Sequence, residues 1–88
     1  MLVRNVAAEV AGRGVQVNAV GTNFMDFPGF LQATGATDPS VRNQIESRVP
    51  LKRLGSMEEF ARFCAVFLDG SSGVQTGQVV GYDGGWSA

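Results

Sequence analysis

Few residues in this chain are of the types that activate a nucleophile or bind a soft metal. It contains no histidine and a single cysteine. Cys64 falls in an apolar helical run with no imidazole to activate its thiol, so it reads as a small buried hydrophobe. One thiol without histidine also falls short of a zinc site. Glu58 and Glu59 point in different directions from a helix start, which makes them cap and dipole residues before an acid/base pair. Asp83-Gly84-Gly85 reads as a turn, because its glycines permit positive φ or close backbone approach. One carboxylate there is not a coordination sphere. The segment with the most chemical promise is "VNAVGTNFMDFPGF", residues 17–30. An apolar run ends at Gly21 and Thr22, and Phe24, Met25, Phe27 and Phe30 follow. Singly, each of these is an ordinary plug under a loop. As a group after the carboxyl end of a strand, they stand where open α/β sheets bind ligands.

The elements that must position this loop are legible from periodicity. Leu2, Val3, Val6, Ala7 and Val10 repeat at helical spacing, and Gly12 and Gly14 stop the helix. No N-cap precedes it, so the chain is expected to begin in mid-element. "VQVNAV", from Val15 to Val20, is β-branched and strand-like, and Asn18 is expected to satisfy backbone groups at the strand edge. The aromatic loop then extends to about Thr37 and is not one helix, with a turn expected at Phe30 to Ala33. Asp38 caps a helix with Pro39 at its first position. Val41, Ile45 and Val49 form its stripe, and Pro50 ends it. Ser56-Met57-Glu58-Glu59 is a capping box. The helix it opens carries Met57, Phe60, Ala61, Cys64, Phe67 and Leu68 on one face, and Phe63, Ala65 and Val66 make the remainder apolar. A helix apolar nearly all round must be covered nearly all round. A last strand runs from Gln78 to Tyr82. Two strands separated by helices argue for a right-handed parallel crossover. Two parallel strands do not make a stable sheet, so the fold class is α/β, one edge of a larger doubly wound sheet.

Composition narrows the partners. With 44% hydrophobic residues and only 17% charged, the 88-residue chain has a globular interior and a thin polar coat. So short a chain is marginal alone, and six Phe with one Trp imply surface that another subunit or segment covers. A net charge of −1 with scattered Lys and Arg gives no nucleic-acid or anionic-membrane surface. No apolar run reaches spanning length and no signal peptide is visible, so a soluble, cytoplasmic protein is expected.

Two stretches carry a resemblance. "LVRNVAAEVAGRGVQVNAV" is similar to the second half of the catalytic helix and the sixth strand of short-chain dehydrogenases/reductases. "VPLKRLGSMEEFARFCAVFLDGSSGVQTGQVVGYDGGWS" resembles their C-terminal stretch, with matches at Pro50, Leu51, Arg53, Gly55, Glu58, Glu59, Thr76, Gly77, Asp83, Gly84 and Gly85. The resemblance covers essentially the whole chain. It implies that residues 1–88 are the C-terminal part of one Rossmann-like domain, comprising its last two strands and flanking helices.

The resemblance also implies what this segment lacks. The family's Gly-rich cofactor turn follows a strand, whereas Gly12 and Gly14 follow a helix. The family's Tyr-x-x-x-Lys would fall before Met1, and Tyr82 does not replace it because no lysine stands four residues on. No catalytic residue and no metal ligand is therefore expected, and this chain alone is expected to bind no cofactor. The intact parent would use NAD or NADP and a small-molecule substrate. In it, Gly21, Thr22 and Asn23 would meet the nicotinamide, and Phe24, Met25 and Phe27 would wall the substrate pocket. Phe60, Phe63, Phe67 and Trp86 would form an oligomer interface, within a dimer or tetramer. The expected partners are the N-terminal half of the domain or further copies of the chain. The family usually reads Pro-Gly where this chain has Gly21-Thr22. Gly21-Thr22-Asn23-Phe24 partly resembles the Gly-Pro-Asn-aromatic of halohydrin dehalogenases, which use no cofactor. A dehalogenase relative thus remains one alternative, and a non-catalytic oligomerisation module another.

Overall fold

The structure is a computed structural model that describes residues 1–87. Helix α1 spans Leu2–Val10 and tightens into a 3-10 turn at Ala11–Arg13. Gly14 ends it at φ 77°, a left-handed cap that glycine adopts without steric cost. Strand β1, Ala19–Thr22, then pairs in parallel with the last strand β2, Val79–Tyr82. The register sets Ala19 beside Val79 and Thr22 beside Tyr82. Between the strands run α2 (Pro28–Thr34), α3 (Pro39–Arg48) and α4 (Met57–Leu68). This is the expected α/β architecture.

The expected strand at Val15–Val20 is displaced toward its carboxyl end. Residues 15–18 do run beside 75–78, but side chains replace part of the ladder. Val17 N–H donates to the Thr76 hydroxyl at 3.0 Å, and the Asn18 carboxamide donates to the Gln75 carbonyl at 3.1 Å. The same carboxamide oxygen accepts from Gln78 N–H at 3.3 Å, so Asn18 does satisfy backbone at the strand edge. Gly21 and Thr22 therefore belong to β1 rather than to the loop after it. The turn expected at Phe30–Ala33 is a longer helix, α2, with Pro28 in its first turn and Gly35 at φ 77° closing it.

The helix caps form as the sequence demands. Asp38 accepts from Ser40 N–H at 2.8 Å. The Ser56 hydroxyl accepts from Glu59 N–H at 3.1 Å, while Glu59 reaches back to Ser56 N–H at 2.7 Å. One side of α4 faces β2, where the Phe63 ring stacks on Tyr82 at 4.7 Å between centroids and Phe60 lies at 5.8 Å. Ala7 of α1 approaches the backbone of Gly77.

The core is small. Ala7, Met25, Ala36, Val49 and Leu54 are the buried apolar residues among those described. Leu68 of α4 is 86% exposed and Val79 of β2 is 66% exposed. The radius of gyration is 15.6 Å and the molecule measures 50 × 24 × 21 Å. A compact chain of this length has a radius of gyration of about 12 Å. The architecture is thus an open two-layer edge whose helix and sheet faces are only partly covered.

Candidate functional site

A cleft of about 470 Å³ opens at the carboxyl ends of the two parallel strands. In open α/β sheets this is where ligands bind. Phe24, Met25, Leu51 and Tyr82 supply apolar walls, the Asp83-Gly84-Gly85 turn forms one rim, and Arg53 with Glu59 forms another.

The Asp83 turn is built by close approach. Gly84 has φ 66°, and a Cβ there would stand 2.5 Å from Cγ1 of Val49, a fully buried residue. Gly85 has φ 92° and lies against Pro50. The Gly84 carbonyl accepts from Leu51 N–H at 3.1 Å. The stretch at 49–51 and the terminal turn are therefore two halves of one packing unit. The Asp83 carboxylate is engaged in the turn, accepting from Gly85 N–H at 3.1 Å and Ser87 N–H at 3.3 Å. Hydrogen bonding from the Ser87 side chain, then from the backbone of Gly85 and Ser87, holds it below the usual carboxylate range. It is a turn residue, as its sequence context suggests.

The loop after β1 is fastened to the connector before α4. Gly55 N–H donates to the Phe24 carbonyl at 3.0 Å, and the Gly55 carbonyl accepts from Asp26 N–H at 2.7 Å. A Cβ on Gly55 would stand 2.8 Å from both Sδ and Cε of Met25, so a side chain there would displace the end of the Met25 side chain. Phe24 has φ 59°, a left-handed conformation costly for a residue with a Cβ. Its ring packs at 5.3 Å from Trp86 and 6.0 Å from Phe30. On the far side of the loop, Arg42 of α3 reaches the Asp26 carboxylate at 3.3 Å.

The Arg53–Glu59 pair completes the rim. Nη1 of Arg53 lies 2.6 Å from Oε1 of Glu59 and Nη2 lies 3.0 Å from Oε2, a two-pronged fork. The Arg53 hydrogen bond, followed by that from Ser56 N–H, lowers the Glu59 carboxyl to about 2. The same hydrogen bond and then the Glu59 charge raise Arg53. Neither group is free for proton transfer at neutral pH. Among the described residues, no group of three His, Cys, Asp or Glu side chains could hold a metal ion. Among the same residues, no helix is long and apolar enough to cross a membrane.

Of the residues expected in the site, Phe24 and Met25 line the cleft. Phe27 does not; its ring packs 5.6 Å from Phe60 of α4, behind the wall. Gly21, Thr22 and Asn23 lie exposed at the end of β1, and nothing stands within 4 Å of a Cβ on Gly21. This open backbone can face a planar ring, but no Gly-rich turn that could cradle a pyrophosphate leads from β1 into a helix. Among the expected interface residues, Phe60 and Phe63 turn toward Tyr82, Phe67 packs 5.3 Å from Phe63, and Trp86 is half-exposed above Phe24. Sequence reasoning missed the rim formed by Leu51, Arg53 and Gly55. The signal was available in the Pro50-Leu51-x-Arg53-x-Gly55 spacing, but its contact with the loop is tertiary.

Comparison with known proteins gives consistent relatives. A family model described as enoyl-(acyl carrier protein) reductase matches residues 1–87. The 3-oxoacyl-(acyl-carrier-protein) reductase FabG of Thermotoga maritima is 37% identical over 84 residues, covering 96% of this chain and 32% of that protein. Among solved structures, YwfH, an NADPH-dependent reductase involved in bacilysin biosynthesis, superposes with a TM-score of 0.85 at 26% identity. That match covers 97% of this chain and 35% of YwfH. A protein described as a dehalogenation enzyme gives a TM-score of 0.83 at 28% identity, with the same coverage of 97% and 35%. The chain thus spans about a third of the length of the relatives it matches.

Proposed function

The chain belongs to the short-chain dehydrogenase/reductase family, and from that premise we propose that it acts as the C-terminal segment of an NAD(P)-dependent oxidoreductase, supplying the substrate loop and part of an oligomer interface. The observation that carries this reading is the position of Phe24 and Met25. They wall a cleft at the carboxyl end of a parallel strand pair, immediately after an open backbone at Gly21–Asn23.

In this reading Gly21, Thr22 and Asn23 present backbone and short side chains to the nicotinamide end of the cofactor. That cofactor, NAD or NADP, carries the hydride when bound. Phe24 and Met25 exclude water from a small carbonyl or alcohol substrate and fix its apolar side. Phe27 buttresses that wall from behind through Phe60. Proton transfer needs a positioned acid; Tyr82 has Trp86 and not a lysine four residues on, so in this reading the acid comes from the part of the fold that carries the Tyr-x-x-x-Lys pair. The partners are that remaining part and further copies of the chain, which would cover α4 and Trp86. The exposed Leu68 and Val79 support this need for cover. We place the protein in the cytoplasm, in keeping with its single cysteine.

Complementation tests the proposal. The chain is mixed with a polypeptide that carries the family's Gly-rich turn and Tyr-x-x-x-Lys, and NADPH binding is followed by calorimetry. Saturable binding that requires both polypeptides is the expected result. Equal binding with and without this chain would refute the role.

A further inference from the structure

We propose that Glu59, outside the cleft's apolar wall and on a different element from the loop, is a positioning residue that holds Phe24 in its left-handed conformation. The coupling runs through four residues. The Glu59 carboxylate gathers the connector 53–56 around itself, accepting from Arg53 through both prongs and from Ser56 N–H. Arg53 Nη1 also donates to the Leu54 carbonyl at 3.3 Å, closing the ring. Gly55 stands inside that ring, and its two backbone groups grip the loop at the Phe24 carbonyl and Asp26 N–H. Asn23 Oδ1 accepts from Phe24 N–H at 2.9 Å, so Phe24 is held on both backbone sides.

A non-glycine residue at φ 59° persists only where its surroundings over-determine it. Here the surroundings are the Gly55 bridge and the packing of the Phe24 ring on Trp86. Releasing Arg53 from Glu59 frees the connector, the Gly55 bridge slackens, and Phe24 returns toward negative φ. Its ring then leaves Trp86 and the cleft changes shape. The capping-box residue Glu59 therefore has two functions: it starts α4 and it sets the cleft wall.

Trp86 is the chain's sole tryptophan and reports on the Phe24 ring directly. The experiment compares the full chain with Glu59→Gln and Ser56→Ala. Glu59→Gln keeps an oxygen for Ser56 N–H but loses the charged fork to Arg53. Ser56→Ala loses the cap yet keeps that fork. With helix content checked by circular dichroism, Glu59→Gln is expected to shift Trp86 emission to the red and to raise its quenching by acrylamide. Ser56→Ala is expected to lower the melting temperature and leave both Trp86 readouts at the parent value. Unmoved Trp86 in Glu59→Gln overturns the proposal, as does a movement in Ser56→Ala that matches it. Should Glu59→Gln fail to fold, Arg53→Lys decides: a smaller shift in the same direction supports the proposal, and none overturns it. The inference rests on the oxidoreductase reading only in calling the cleft a substrate site. The fluorescence needs no cofactor or substrate, so it can fail while complementation succeeds, and the reverse.

Discussion

At the scale of residues, the site is held by absences of side chain as much as by their presence. Gly84 admits Val49 beneath it and Gly55 admits Met25. Gly84→Ala adds both a left-handed strain and a clash with a residue that has no free space. It should destabilise the fold by about 2 kcal/mol or more, read as a lower denaturation midpoint at unchanged slope. Glu59 makes a second prediction. Its carboxyl lies at about 2 in the folded protein against 4.5 unperturbed. The ionised form is the one the fold favours, so its contribution is complete above pH 4.5 and is lost as pH falls through about 2. Glu59→Gln should flatten that acid limb in midpoints measured across this window; an unchanged slope would remove Glu59 as its source. The sequence made the Asp83 turn and the capping box legible, because both are local patterns. It could not announce that Gly84 sits on Val49 or that Gly55 bridges the loop, because those contacts join segments far apart in the chain.

At the scale of elements, the caps placed α3 and α4, and the first strand slipped while the last formed where expected. Asp38 with Pro39 and Ser56 with Glu59 start α3 and α4 where expected. Asp38→Ala should cost about 1 kcal/mol through the lost bond to Ser40 N–H, measurable by chemical denaturation. No loss would mean that packing alone fixes the start of α3. Pro28 and Gly35 bracket α2 with the ordinary start and stop signals, yet the residues between them read as a loop with a single turn at Phe30 to Ala33. The β1 boundary moved because Thr76 and Asn18 side chains took ladder positions that apolar alternation alone does not reveal. Phe27 lies outside the cleft for a different reason: a side chain's direction after a strand end depends on the turn at Phe24, and a left-handed phenylalanine carries no sequence mark.

At the scale of the whole molecule, the fold class and the family were legible, and the cover was not. A radius of gyration of 15.6 Å and five buried apolar residues among those described fit a sheet edge with exposed faces. The chain alone should therefore sediment as an assembly of copies and not as a monodisperse monomer; such a monomer would contradict the need for cover. Calorimetry with NADPH and the chain alone should show no saturable binding, because no turn here cradles a pyrophosphate. The central claim, that Phe24 and Met25 wall the substrate side of an oxidoreductase site, is best tested by grafting residues 1–87 onto the first two thirds of the Thermotoga maritima reductase. The quantity to measure is KM for a 3-oxoacyl thioester in that chimera, with Phe24→Ala and Met25→Ala compared. The account predicts NADPH-dependent turnover whose KM rises in both variants while NADPH affinity holds. A chimera that folds, binds NADPH and turns over with a KM indifferent to both residues would contradict it.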